Sequence, residues 1–273
     1  YYCGEECMNA HWQNGHKEWH KVQKQRAKQH REGGLSELTR SLAEAQARRA
    51  EKTGSEYDKR CAAATAFNVE GDHNAAAKAW RNVIKQWPDQ STPYRNLAIV
   101  LQHSYRYVEA AQMCLRAMDH CEDGTEDWAQ AAAEAFDLLK LDDCRDAPKP
   151  EWWNDEALKA LSARVVAVAP DKAQPCSMRA CVLEGDALGK ADWNAGPRTA
   201  AEVKEAATWW RRAAMATILP SAKLDYEQYS SQCDEYADPL LAEEEAEAAK
   251  VRAAAKAEAA EAMKVAEAKA AAA

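Results

Sequence analysis

The chain has 273 residues, with 36 Lys and Arg against 44 Asp and Glu, giving a formal net charge of −8. That balance argues against general nucleic-acid binding. No apolar run approaches the ~18–20 residues of a membrane span, and no signal-peptide pattern opens the chain. Only 10 Gly and 9 Pro, among abundant Ala, Glu, Lys and Leu, point to helix almost throughout. The 9 cysteines are an odd number, and those from Cys61 to Cys233 are scattered through helical stretches. They read as buried free thiols of a reducing, intracellular compartment, cytoplasmic or nuclear, and not as a disulfide framework.

Residues 1–21 carry the sharpest motif: Tyr2-Cys3-x3-Cys7, then His11-Trp12, then His16-Lys17-x2-His20. Two candidate Cys ligands and two candidate His ligands sit at spacings that bring each pair onto one local face. This pattern resembles the second half of a MYND-type zinc finger, with His20 standing where the family has Cys. The resemblance implies two Cys-x2-Cys pairs ahead of Tyr1, each sharing one Zn2+ with half of this set. Cys3 and Cys7 would then form one half-site, and His16 and His20 the other. Four ligands close a structural zinc tetrahedron, so the chain as given is expected to bind zinc weakly. The resemblance further implies docking of short proline-containing peptides, with Trp12 as the groove aromatic.

Residues 22–55 read as a basic helical linker. Across 17–31, six basic residues (Lys17, Lys21, Lys24, Arg26, Lys28, Arg31) face a single acid, Glu18, and Leu38–Arg49 leads into a periodic region. From residue 56 a fixed period emerges. Gly71-Asp72-His73-Asn74-Ala75-Ala76, then Trp80, Val83 and Pro88, come after Ala63, Ala64 and Phe67. The frame returns about 34 residues on, at Leu97, Ala98 and Leu101, then Tyr107, Ala110, Cys114 and Ala117. Trp128, Ala131, Ala132 and Ala135 open a third unit. This spacing resembles that of tetratricopeptide repeats. Each unit is then two antiparallel helices, in which small residues such as Ala64 and Ala76 permit close approach while Phe67 and Trp80 fill the gaps. Gly71 permits the turn, Pro88 stops the second helix, and Ser91 or Thr92 caps the next helix ahead of Pro93.

Beyond the third opening helix, Asp142–Pro150 reads as a loop, Trp153–Ala169 as its partner helix, and Cys176–Leu188 as the start of a fourth pair. Gly189–Pro197, with its lone Trp193, is a longer turn. Glu202–Leu219 is a helix with Val203, Ala206, Ala207, Trp210, Ala213 and Ala214 at spacings of three and four. Leu224–Ala237 closes the stack. Residues 238–273, rich in Ala, Glu and Lys, form a charged helical or disordered tail with almost nothing to bury. The expected architecture is all-α: a right-handed α-solenoid of hairpins similar to tetratricopeptide repeats over 56–237, preceded by the truncated zinc finger.

Chemistry is sparse. No glycine-rich phosphate loop, GxSxG elbow or HExxH is present. His73, His103 and His120 fall on helices or turns and read as surface or packed histidines. The repeat resemblance raises a clamp for a partner's carboxylates, and Asn96 fits one of its positions. Cys61 and Thr65, however, stand where Lys and Asn are needed, and the third helix offers no cation near Ala129. The functional expectation is a non-catalytic, zinc-binding adaptor for other proteins or peptides, with Trp12 and Asn96 as peptide-contacting residues. Two alternatives stand beside it: a chromatin- or RNA-associated regulator using 17–31, and a fragment of a MYND/SET-type lysine methyltransferase lacking its catalytic core.

Overall fold

A computed structural model describes residues 35–185, 193 and 195–271. Among these residues the regular structure is helical, and no helix is long and apolar enough to cross a membrane. Ten α-helices succeed one another: α1 (Leu35–Thr53), α2 (Glu56–Val69), α3 (His73–Gln86), α4 (Ser91–His103), α5 (Tyr107–Asp119), α6 (Glu126–Leu139), α7 (Asp155–Val168), α8 (Ala173–Glu184), α9 (Ala200–Ala216) and α10 (Pro220–Ala271). A short 3-10 turn, Asp142–Cys144, comes after α6. Local side chains start many of them. Ser55, Asp72, Thr125 and Asn154 each accept a hydrogen bond from a backbone N–H of the first turn. Thr199 and Glu202 form a reciprocal capping box at α9. The sequence expectation fails at α4, where Gln90 takes the cap position without a side-chain bond and Ser91 is already helical. Pro93 remains in the first turn, where its missing N–H has no intrahelical partner to lose.

The described chain forms two compact units, dividing after Arg106. In the first, α1 packs on α2, α2 on α3, and α3 on α4, with α2 also reaching α4. Small residues meet single bulky ones here: Ala64, Ala76 and Ala98 are fully buried, as are Trp80, Leu97 and Leu101. Burying a ring such as Trp80 stabilises by roughly 2–3 kcal/mol, against a few tenths for helix propensity at one residue, so packing decides the register. Gly71 takes φ +81° at the α2–α3 turn, a conformation that suits glycine.

Phe67 departs from the expected pattern. It is 38 % exposed, and Ala63 is not among the buried residues of α2 either. The cause is α1. Thr65 Oγ1 donates to Gln46 Oε1 at 2.5 Å, and Arg49 pairs with Asp58 at 3.2 Å. These contacts turn the buried stripe of α2 onto Asp58, Cys61, Ala64 and Thr65, which leaves Phe67 on the outer side.

In the second unit α6 packs on α5, α7 and α8, α8 packs on α7 and α9, and α10 lies along α9. Helix α6 is buried nearly all round, from Trp128 through Ala131, Ala132 and Ala135 to Leu139. All six residues expected on the inner face of α9, Val203 to Ala214, are buried. Boundaries shift at three helices, at one of them because a polar cap wins. Asn154 starts α7 two residues later than expected, placing Trp152 and Trp153 in the preceding loop. Helix α8 spans Ala173–Glu184 rather than Cys176–Leu188. The closing helix runs unbroken through Pro239 to Ala271.

Candidate functional site

Of the residues singled out by sequence, Cys3, Cys7, Trp12, His16 and His20 lie outside the described residues, as does the basic stretch 17–31. Asn96 is half-buried on α4. The two positions that a carboxylate clamp would need on α2, Cys61 and Thr65, are buried, Thr65 in its bond to Gln46 of α1.

A groove along the first helix of each hairpin is also closed at α6. Ala129, Ala133 and Phe136 are fully buried. Phe136 lies 5.6 Å from both Trp153 and Trp193, measured between ring centres. Those two rings meet edge to face at 6.1 Å, and the Lys149 ammonium sits 4.6 Å over Trp153. Side chains from the loops before α7 and α9 thus cover this face of α6.

Beside that plug lies a cavity of about 220 Å³. Its charged wall is built at two helix ends. Lys140 caps α6, pairs with Asp137 at 3.0 Å and reaches Cys181 Sγ at 3.3 Å. Burial alone would lower the Lys140 pKa, but Asp137 and Cys181 outweigh it and hold the ammonium well above the usual lysine value. Burial pushes the Cys181 thiol up to about 11 although Lys140 opposes it, so this sulfur is a packing thiol and not an activated nucleophile. Glu184, the last residue of α8, is 1 % exposed. Its Oε2 accepts from Trp210 Nε1 at 2.8 Å and from Cys233 Sγ at 3.6 Å.

The aromatic wall comes from α9, α10 and the loop between α8 and α9. Trp210 stacks on Tyr226 at 5.3 Å and tilts against Tyr229 at 5.0 Å. Burial raises the Tyr226 hydroxyl to about 12, keeping it protonated. Trp193 closes the other side and is fixed from below, where its Nε1 donates to Asp155 Oδ1 at 3.3 Å. Asp155 in turn receives both terminal guanidinium nitrogens of Arg198, at 3.1 and 2.5 Å. Arg198 also donates to the carbonyls of Val182 and Gly196, at 2.9 and 2.8 Å. It therefore ties the end of α8, the start of α7 and the loop before α9 together. Gly185 makes room for it: at φ +56°, a Cβ there would stand 2.7 Å from the guanidinium.

In the sequence Trp193 stands out only as a lone ring in a turn, and Lys140, Glu184 and Arg198 carry no motif. The one local signal is Glu184-Gly185 at a helix end; the partners of Glu184 lie 26 and 49 residues away in the chain. No protein-family profile matches the chain, and no significant match to a curated protein was found.

Proposed function

We propose that this chain is a non-catalytic adaptor whose helical hairpins, in a register like that of tetratricopeptide repeats, present the cavity beside Trp193 to one anchor side chain of a partner peptide. The observation that carries this reading is the cavity itself, about 220 Å³ and walled by Trp193, Trp210 and Tyr229 with Lys140 and Glu184 at its edge. At ~30 Å³ per water it would hold about seven waters, which suits one large side chain better than a drug-sized ligand. Interfaces draw most of their energy from a few such anchors seated in desolvated pockets. An open peptide groove receives less support, because the faces of α2 and α6 that would line it are buried. Zinc held at Cys3, Cys7, His16 and His20 belongs to the same adaptor reading.

The test is selection of peptides from a displayed library on the full chain, then rebinding to Leu141→Trp, which fills the cavity, and to Asn96→Ala. Enriched peptides are expected to lose at least tenfold in affinity with Leu141→Trp and little with Asn96→Ala. Equal binding to the filled variant would overturn the cavity as the docking site.

A further inference from the structure

In the first unit three helix ends bring Asn68, His73 and His103 together. Asn68 lies in the last turn of α2, His73 opens α3 and His103 ends α4. Both imidazole Nδ1 atoms converge on one oxygen: His73 Nδ1 is 3.2 Å and His103 Nδ1 is 3.4 Å from Asn68 Oδ1. The ring centres are 5.1 Å apart and the rings are inclined at 49°. We propose that Asn68, His73 and His103 form a binding site for a divalent transition metal, of which Zn2+ is the best fit, with Nδ1, Nδ1 and Oδ1 as ligands and water in the fourth position.

The argument is geometric. Zinc binds imidazole nitrogen at about 2.0–2.1 Å, so the edge of its ligand tetrahedron is about 3.3–3.4 Å. The two observed nitrogen–oxygen separations, 3.2 and 3.4 Å, are already close to that edge. With two imidazoles at the tetrahedral angle on one zinc, ring centres would stand about 5.2 Å apart, against the 5.1 Å seen. Without metal, each Nδ1–H donates to the shared amide oxygen. Moving each ring proton to Nε2 turns the same two nitrogens into lone-pair donors with little motion. Two imidazoles and an oxygen suit Zn2+, Cu2+ or Ni2+, and the two nitrogen–oxygen separations match the edge expected for four-coordinate zinc.

The surroundings fit a cation. The C-terminal ends of α2 and α4, which carry the negative end of the helix dipole, supply two of the three ligands, against one from the positive N-terminal end of α3. His103 is solvent-exposed. Among the described residues no group of three or more His, Cys, Asp and Glu converges. The third protein ligand here is an amide, so the site is an exchangeable one with an open position and not a closed structural centre.

Cobalt(II) titration of the full chain tests this, in a background of Cys3→Ser, Cys7→Ser, His16→Ala and His20→Ala that removes the N-terminal ligands. The expected result is one equivalent of tetrahedral cobalt, seen as visible ligand-field bands without sulfur-to-cobalt charge transfer, and displaced by Zn2+. His73→Gln and His103→Gln should each weaken binding at least tenfold with an unchanged helical circular dichroism spectrum. Asn68→Asp should tighten it several-fold, which a purely hydrogen-bonded trio would not do. Absence of the bands in the background chain, or bands that survive His103→Gln unchanged, would overturn the site. Loss of the site would leave the peptide-binding reading untouched, since none of its residues lines the cavity.

Discussion

The two compact units solve the same packing problem with different materials. In the first, short turns join helices packed mainly as Ala against Trp, Leu or Val, with polar contacts at the α1–α2 seam, and the ring of Trp80 is 1 % exposed. In the second, long loops bring rings and charges back onto the helices, and Arg198, with 3 % of its side chain exposed, holds Asp155 and two backbone carbonyls. The difference teaches where specificity is written. Small-against-large packing can be read along the chain, while a buried ionic strut depends on partners 43 residues apart.

Substitutions can break or sharpen that contrast. Trp80→Ala, which empties the largest buried side chain of the first unit, should lose about 3–5 kcal/mol, read by hydrogen exchange confined to α2–α4. Arg198→Ala should lose about 2–3 kcal/mol in the second unit, because it leaves the partly buried Asp155 carboxylate with only Trp193 Nε1 and, at 3.7 Å, the Lys159 ammonium; Arg198→Lys should recover little, since lysine lacks the bidentate fork. If chemical denaturation of Arg198→Ala left the second unit at wild-type stability, the strut would be ornamental and the contrast would collapse.

Gly185→Ala should lose about 1–3 kcal/mol, from a backbone conformation nearly closed to other residues and from contact with Arg198. It is expected to loosen Trp193, visible as a change in tryptophan emission. Acid sharpens the same point. Partial burial alone would raise the Asp155 pKa, but hydrogen bonds and charge from Arg198 bring it below the usual carboxylate value. A lowered folded-state pKa stabilises above the unfolded value, near pH 4, and that contribution is lost as pH falls through the folded value. Thermal melts from about pH 6 to pH 3 should therefore fall less steeply in Arg198→Ala than in the parent. Phe67→Ala, at a position 38 % exposed, should lose about 1 kcal/mol, well below Trp80→Ala; a loss in denaturant melts equal to that of Trp80→Ala would restore Phe67 to the core.

Much of the helical architecture was legible in the sequence, because it rests on local signals. Gly71, Pro88, the spacing of Ala110, Cys114 and Ala117, and the six inner residues of α9 all fall where the pattern placed them. Phe67 was misplaced because its side is decided by Gln46 and Arg49 of another helix, which no periodicity within α2 records. The cavity was illegible for a related reason. Glu184 gains its meaning only when Trp210 and Cys233 fold onto it. The convergence of His73 and His103 on Asn68 was equally hidden, since His103 lies 35 positions beyond the shared amide and each histidine looks ordinary alone.

Helix α10 outlasts its support. Cys233 and Ala237 are its last fully buried residues, Leu240 still rests partly on the core, and Pro239 sits inside the helix between them. Glu244 still accepts from the Ala200 N–H of α9 at 2.8 Å. The described side chains from Glu245 to Lys264 are almost all exposed, yet the helix persists to Ala271. At 1.5 Å per residue the stretch after Glu244 is a rod of about 40 Å, of a composition that behaves as a semi-rigid spacer. Anything joined near its far end is held at a stand-off of about four nanometres from the core of the second unit, on a strut and not on a leash.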